Sequence, residues 1–328
     1  MPTFCRHNRL VQNCPICAKE QSLEMRPLVS SATPAVSEPR ERNAPARART
    51  HAGGAGRASS RLRVRQLARG VDDGYHSQRV PGIRSSADAE RLAEEMAFAA
   101  RRLELLEDAP PGSYAAVAAD GDLEERTWLA FLIAYLSPLD GPEPFAAIEA
   151  VRTSWASGEL PELADVETGA RTAHEPGRGT RTLEAYRAWA ARAGGQQAAF
   201  TGEAAWPAER RFARVYERLA LPGLRRDARY DLLVTLGRLG VYELHGGSLQ
   251  FGGDNEVTVA AKRALGIGDP LLLERRAAEL AAAAGVDLEA LDLALYNWGT
   301  GEPTSLGIDA GEAPDEATVE AVRRALGL

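Results

Sequence analysis

Cysteine is nearly absent from this 328-residue chain: there are three, all within the first 17 residues. No disulfide framework can hold the rest of the sequence, so its core must form by burial alone. Lysine is scarcer still, with only Lys19 and Lys262 among 39 basic residues. An arginine bias of this size, beside abundant alanine, fits a GC-rich coding sequence, so arginine content by itself is weak evidence for binding. No apolar run approaches the roughly 20 residues needed to span a bilayer, which argues against a membrane helix. The opening MPTFCRHNRL lacks the apolar stretch of a signal peptide and the pattern of a transit peptide, so the expected location is the cytoplasm. No Walker loop is found, and no G-x-G-x-x-G stands between a strand and a helix, so nothing supports nucleotide or dinucleotide use.

The charge that is present is unevenly placed. The net value of −7 conceals a basic arm, residues 1–70, with 13 Lys and Arg against 4 Asp and Glu, followed by an acidic body. Such an arm can contact nucleic-acid phosphates, although a solvated arginine-rich linker is the commoner origin of this composition. Three segments follow: a compact module over 1–20, a basic linker over 21–85 expected to be disordered, and a helical domain over 86–328. In the last, Leu92, Met96, Ala99, Leu103 and Leu106 recur at helical spacing, and Asp108-Ala-Pro-Pro-Gly stops the run. Residues 128–136 are apolar on every face, as in the central helix of a bundle. Further helices are expected near 144–156, 182–194, 207–220, 226–239, 256–265, 270–284, 287–297 and 315–326. Alternation around Gly246-Gly247 predicts one small β-hairpin over 241–251. The expected class is all-α.

Cys5, His7, Cys14 and Cys17 give C-x-H-x6-C-x2-C, four soft or borderline ligands at spacings that close a tetrahedron. A segment this short cannot fold by burial, so a structural Zn2+ is expected to supply its folding free energy. The alternative is a tail with reactive thiols.

The most informative stretch begins at Pro207. Phe212, Val215, Tyr216 and Leu219 mark one helix face, Leu221-Pro222-Gly223-Leu224 forces a turn, and Leu232, Leu233, Leu236 and Leu239 mark a second helix. A glycine turn opening a helix presents unpaired N–H groups and the positive end of a dipole, which suits a DNA phosphate. Arg225, Arg226 and Arg229 lie in the first turns of the second helix, with Arg210, Arg211, Arg214 and Arg218 on the first. An αα-hairpin with solvated arginine faces accounts for the same residues equally well.

This stretch resembles the helix-hairpin-helix DNA glycosylases, the endonuclease III-like superfamily. There the hairpin reads Leu-Pro-Gly-hydrophobic-Gly, and an aspartate opens a later helix that ends in a basic pair and Leu-Gly-Ile. Here Leu221-Pro-Gly-Leu is followed by Asp254-Asn-Glu-Val257 and by Lys262-Arg263-Ala-Leu265-Gly266-Ile267. The resemblance makes Asp254 the catalytic candidate, and it makes Leu221, Pro222, Gly223, Leu224, Arg225, Arg226, Arg229 and Lys262 the DNA contacts. Two departures stand out: Arg225 replaces the second hairpin glycine, and the connection to Asp254 is longer than usual. Bifunctional members carry a Schiff-base lysine where this chain has Asp227, which implies a monofunctional enzyme. More closely, the Cys/His N-terminus, the LPGL-R-x-x-x-R-Y-D-L-L hairpin, GGD-x-x-V-x-x-A-A-K-R and Leu291-Asp-Leu-Ala-Leu-Tyr-Asn-Trp298 resemble the alpha-glutamyl/putrescinyl-thymine pyrophosphorylase family over residues 88–300. That family accompanies hypermodified DNA bases.

These resemblances imply excision of a modified pyrimidine from DNA, phage DNA being the expected partner. A base-modifying transferase and a non-catalytic DNA-binding adaptor are the alternatives. Base excision needs an ionised carboxylate beside an oxocarbenium-like sugar, and Asp254 is expected to cap its helix, where the dipole favours the charge. A flipped base needs aromatic walls. Trp128, Tyr135, Tyr296 and Trp298 are the candidates, with Asn297 as a base-edge partner, although core packing explains each of them as well. Glu124 and Glu125 read as a solvated helix start, with contact to a substrate amine as the alternative.

Overall fold

The computed structural model describes residues 70–301, 303–308 and 314–328. Among these residues every regular element is a helix, as the periodicity requires. Twelve helices occur: α1 (Ser86–Asp108), α2 (Ser113–Ala118), α3 (Leu123–Leu136), α4 (Ala146–Val151), α5 (Gly179–Ala193), α6 (Gln196–Thr201), α7 (Ala208–Arg218), α8 (Arg226–Arg238), α9 (Glu256–Leu265), α10 (Pro270–Ala284), α11 (Leu288–Thr300) and α12 (Glu316–Leu326). The expected 144–156 helix shortens to α4, and α2 and α6, one and a half turns each, carry too little periodicity to be read from sequence.

The helix ends follow local chemistry. Ser85, Asp122, Asn255, Asp269 and Asp315 each turn a side-chain oxygen onto the first free N–H groups of the helix they open. Glycines 194, 266, 285, 301 and 327 take the left-handed conformation that ends five helices.

Two largely apolar helices, α3 and α11, form the centre. Every residue from Thr127 to Leu136 is buried, as is every one from Glu289 to Trp298. α11 packs on α1 and α9, α3 packs on α8, and α12 closes over α1 and α10. The α9–α11 crossing is tight because Gly299 lies against Ala260, where a Cβ would come within 2.6 Å of the alanine methyl.

Two expectations are corrected. Residues 70–85, assigned by composition to the linker, belong to the folded body: Val80 and Ile83 are buried, Gly82 N–H donates to the Ala264 carbonyl at 3.0 Å, and Asp73 accepts from the backbone of Ser86 at 3.0 Å. The two apolar side chains supply the burial that the polar composition conceals. Residues 241–251 form no strand. Val241, Tyr242 and Leu244 N–H turn to local backbone carbonyls, and three more N–H groups are taken by side-chain carboxylates, Gly246 by Glu289 at 2.6 Å and Leu249 and Phe251 by Glu274 at 2.8 and 2.7 Å. With these donors used in this way, no ladder forms.

Candidate functional site

Two helices joined by a tight turn occupy the predicted stretch. α7 ends at Arg218 with Leu219 as its cap, Leu224 N–H closes the turn onto the Leu221 carbonyl at 3.1 Å, and α8 starts at Arg226. Gly223 sits at φ +80°, and a Cβ there would fall 2.1 Å from Thr182 Oγ1. The turn therefore needs glycine twice, once for its dihedral angle and once for its close approach to α5.

That approach creates a cleft of about 420 Å³, lined by Glu175, Arg178, Arg181, Thr182, Pro222 and Gly223 together with Ala173. α5 opens into this region with Arg178 as its cap residue, and α8 opens beside it with Arg225 as its cap residue. Neither cap side chain satisfies the free N–H groups of its helix; the α5 end keeps its positive dipole unmasked, whereas Asp227 in the first turn of α8 offsets the other. Arg178, Arg181 and Arg225 are exposed, and Arg225 pairs with Glu175 at 2.7 Å. The hydrogen bond and charge of Arg225 hold the Glu175 carboxyl below the usual carboxylate range. The bare start of α5, a glycine turn and the exposed Arg178 and Arg181 make a surface suited to an anion such as a phosphate diester.

Beneath the hairpin lies a chain of buried charges. Arg171, with no exposed side-chain surface, grips Asp231 through Nε and Nη2, both at 2.8 Å, and also reaches Asp292 at 2.8 Å. Arg226 pairs with the other oxygen of Asp292, contacts Asp227 at 3.2 Å and donates to the Leu249 carbonyl. Burial pushes the Asp231 carboxyl up and Arg171 pulls it down, leaving it at about 6. Burial opposes the charge on both arginines, but the surrounding aspartates outweigh it and raise each above its ordinary value. The guanidinium of Arg171 also lies 4.6 Å from the centre of the Tyr296 ring. Burial raises the Tyr296 phenol to about 12; Arg171 opposes the rise, and Asp227 and Glu256 add to it.

Of the expected phosphate contacts, Pro222, Gly223 and Arg225 are exposed at the turn, whereas Leu224 is buried and Leu221 half-buried. Arg226 is not at the surface: it is 6% exposed and committed to the aspartates beneath. Arg229 is half-buried with its guanidinium 4.3 Å from the Tyr216 ring centre. Arg211 is buried on Glu243 and the Trp206 carbonyl, and Lys262 is half-buried in the last turn of α9.

Asp254 is exposed and precedes the cap instead of forming it. The cap is Asn255, whose Oδ1 accepts from Thr258 N–H at 2.9 Å while its Nδ2 donates to the Gly252 carbonyl at 2.6 Å. Asn fills the position as well as Asp would, which leaves the neighbouring carboxylate free. Among the described residues no hydrogen bond or ion pair engages it.

The aromatic candidates do not converge on one pocket. Trp128 stacks with Phe131 and Tyr186 and donates to the Thr153 carbonyl at 2.9 Å. Tyr135 meets His174 at 3.4 Å, and Tyr296 donates to the Ala170 carbonyl at 2.9 Å. Asn297 is held by Glu95 and Thr304, while Trp298 donates to the Asp88 carbonyl and lies under Arg263. All five are buried with their polar atoms occupied inside the protein, so each packs the core. Glu124 and Glu125 are engaged as well. Glu124 receives the N–H groups of Gln196 and Gln197, and Glu125 those of Trp155 and Ala156.

Sequence reasoning missed the α5 side of the cleft, because Arg178, Arg181 and Thr182 lie far from the hairpin in the chain. It also missed the partners of Arg171, although Asp292 gave a signal as a lone acid amid Leu291, Leu293 and Leu295. Cys5, His7, Cys14 and Cys17 lie outside the described residues. No family model, curated protein or solved structure matches the chain.

Proposed function

We propose that the chain is a monofunctional DNA glycosylase that releases a modified pyrimidine from DNA, phage DNA being its target. The observation that carries this reading is the hairpin cleft, where Gly223, the uncapped start of α5 and Arg178 and Arg181 line a space fitted to one backbone phosphate, with Arg225 beside it on Glu175. The free carboxylate of Asp254 supports the chemistry. It faces solvent, where it can approach an extruded nucleotide and stabilise positive charge developing at the sugar. Arg226 ties the two halves together, because the guanidinium buried beneath the hairpin also holds Leu249 in the segment that leads to Asp254. A structural zinc on Cys5, His7, Cys14 and Cys17 and a basic arm over residues 1–70 complete the proposal, adding contacts to DNA outside the cleft.

The test is base release from genomic DNA of phages carrying different modified pyrimidines, scored as abasic sites. Asp254→Asn is expected to abolish release while keeping fold and DNA affinity, since Asn255 already caps α9 and the exchange removes only a charge. Borohydride is expected to trap no covalent adduct, because Asp227 stands where a Schiff-base lysine would. Abasic sites formed by Asp254→Asn at the unaltered rate would remove the catalytic assignment. An intact strand with a new base adduct would identify a transferase, and DNA binding without either product would identify an adaptor.

A further inference from the structure

A second site lies in the core and shares no lining residue with the hairpin cleft. Arg102, on α1, is 4% exposed, and among the described residues no hydrogen bond or ion pair reaches its guanidinium. Its Nε is fully buried and unpartnered. A guanidinium taken out of water without a counter-charge in contact is among the costliest groups that a core can hold. Burial lowers its pKa to about 10, so it remains a cation at neutral pH.

Arg102 lines a cavity of about 40 Å³ that also receives Ser137, Tyr114, Thr235 and Leu293. Ser137 Oγ is likewise buried without a hydrogen-bond partner. Ser137 sits at φ +59°, a left-handed conformation uncommon for serine, at the end of α3. The two acids in the wall are engaged elsewhere. Asp231 is gripped by both donors of Arg171, and Glu289 is held by Gly246 N–H and Arg238. The cavity therefore presents a cation and a hydroxyl, both lacking partners, against a largely apolar wall.

We propose that this cavity binds one small carboxylate anion, its two oxygens taken by the Arg102 guanidinium and the Ser137 hydroxyl. The space corresponds to roughly three water-sized positions, which suits the few heavy atoms of formate or acetate better than the larger tetrahedral phosphate. A guanidinium fork matches a planar carboxylate, and the apolar wall accepts the carbon end. Asp231 and Glu289 oppose a dianion more strongly than a monoanion, which selects in the same direction. Such an anion joins α1, α3 and α8 at their common contact, so its occupancy reads out as stability of the body.

The experiment titrates full-length protein with sodium formate or sodium acetate, holding ionic strength constant with sodium chloride, and follows the thermal midpoint together with binding heat. The midpoint should rise saturably, by roughly 5 °C at a hundredfold excess over Kd. Arg102→Met removes the cation at similar volume and should abolish both the rise and the heat. Ser137→Ala removes one hydroxyl and should weaken binding by about tenfold, which tests the site independently if the Arg102 variant does not fold. Equal midpoints in acetate and chloride, a response retained in Ser137→Ala at unchanged affinity, or phosphate acting at lower concentration than acetate would each overturn the proposal.

Discussion

Arg226 and Asp292 form a buried ion pair beneath the first turn of α8, joining the hairpin to the central helix α11. The same guanidinium holds the Leu249 carbonyl, so one side chain fixes the hairpin, the core helix and the loop after α8 relative to one another. Arg226→Ala would leave Asp292 facing Arg171 alone and the Leu249 carbonyl unpaired. The expected cost is about 3–5 kcal/mol, measured by urea denaturation. Asp292→Asn should show a loss of the same order. If Arg226→Ala costs less than about 1 kcal/mol, the pair does not hold the hairpin.

Arg225, one residue earlier, should behave in the opposite way. Its ion pair with Glu175 is exposed, so Arg225→Ala should alter stability by less than about 1 kcal/mol. Together with Arg178→Ala and Arg181→Ala, it should lower the slope of log affinity for DNA against log salt, by about 0.9 for each phosphate that is no longer neutralised. Unchanged slopes in all three variants would place the nucleic acid elsewhere on the surface.

At the turn, Gly223→Val should destabilise the body and weaken DNA binding, because the new side chain meets Thr182 and requires a positive φ. Thr182→Gly in the same chain should recover only part of the loss, since it removes the collision and leaves the backbone strain. Strain of this kind costs roughly 1–3 kcal/mol. Full recovery would mean that the dihedral angle carries no cost.

Asp231 gives the body a pH dependence. Its carboxyl is raised from an ordinary 3.8 to about 6 in the folded protein, so between these values the native state binds more protons than the unfolded chain. Its contribution is therefore full below about pH 4 and is lost as pH rises through 6, by about 2–3 kcal/mol in all. Unfolding free energies measured between pH 4 and 7 should fall along this course. Asp231→Asn, which mimics the protonated carboxyl, should lack this part of the slope.

Elemental analysis of the purified full-length chain should find one equivalent of zinc, and Cys14→Ser with Cys17→Ser should remove it. Less than half an equivalent in the unaltered protein would exclude a zinc module at Cys5, His7, Cys14 and Cys17.

The helical class, the extents of the longer helices and the hairpin were legible because apolar spacing and caps are local signals. Leu92 through Leu106 mark one face of α1, and Leu221-Pro-Gly-Leu can only be a turn. What could not be read depends on residues distant in sequence. Whether Arg225 or Arg226 faces solvent follows from where Asp292 lies, 66 positions later in the chain. The loop at 241–251 alternates like a strand, yet Glu274 and Glu289 take the donors a strand would need. The cleft is half α5, and no pattern in the hairpin announces the approach of Thr182.

The segment before α1 is bound at the far end of the sequence. The Tyr75 hydroxyl donates to the Leu326 carbonyl, and Arg79 donates to the Ala325 carbonyl at 3.2 Å, the last turn of α12 accepting both. A ribosome delivers these partners in the wrong order, with about 250 residues synthesised between donor and acceptor. Until α12 emerges, Tyr75 and Arg79 have only water to bind and the apolar face of α1 that α12 covers stays open. The body therefore becomes fully closed only when residues 325–326 are free to dock.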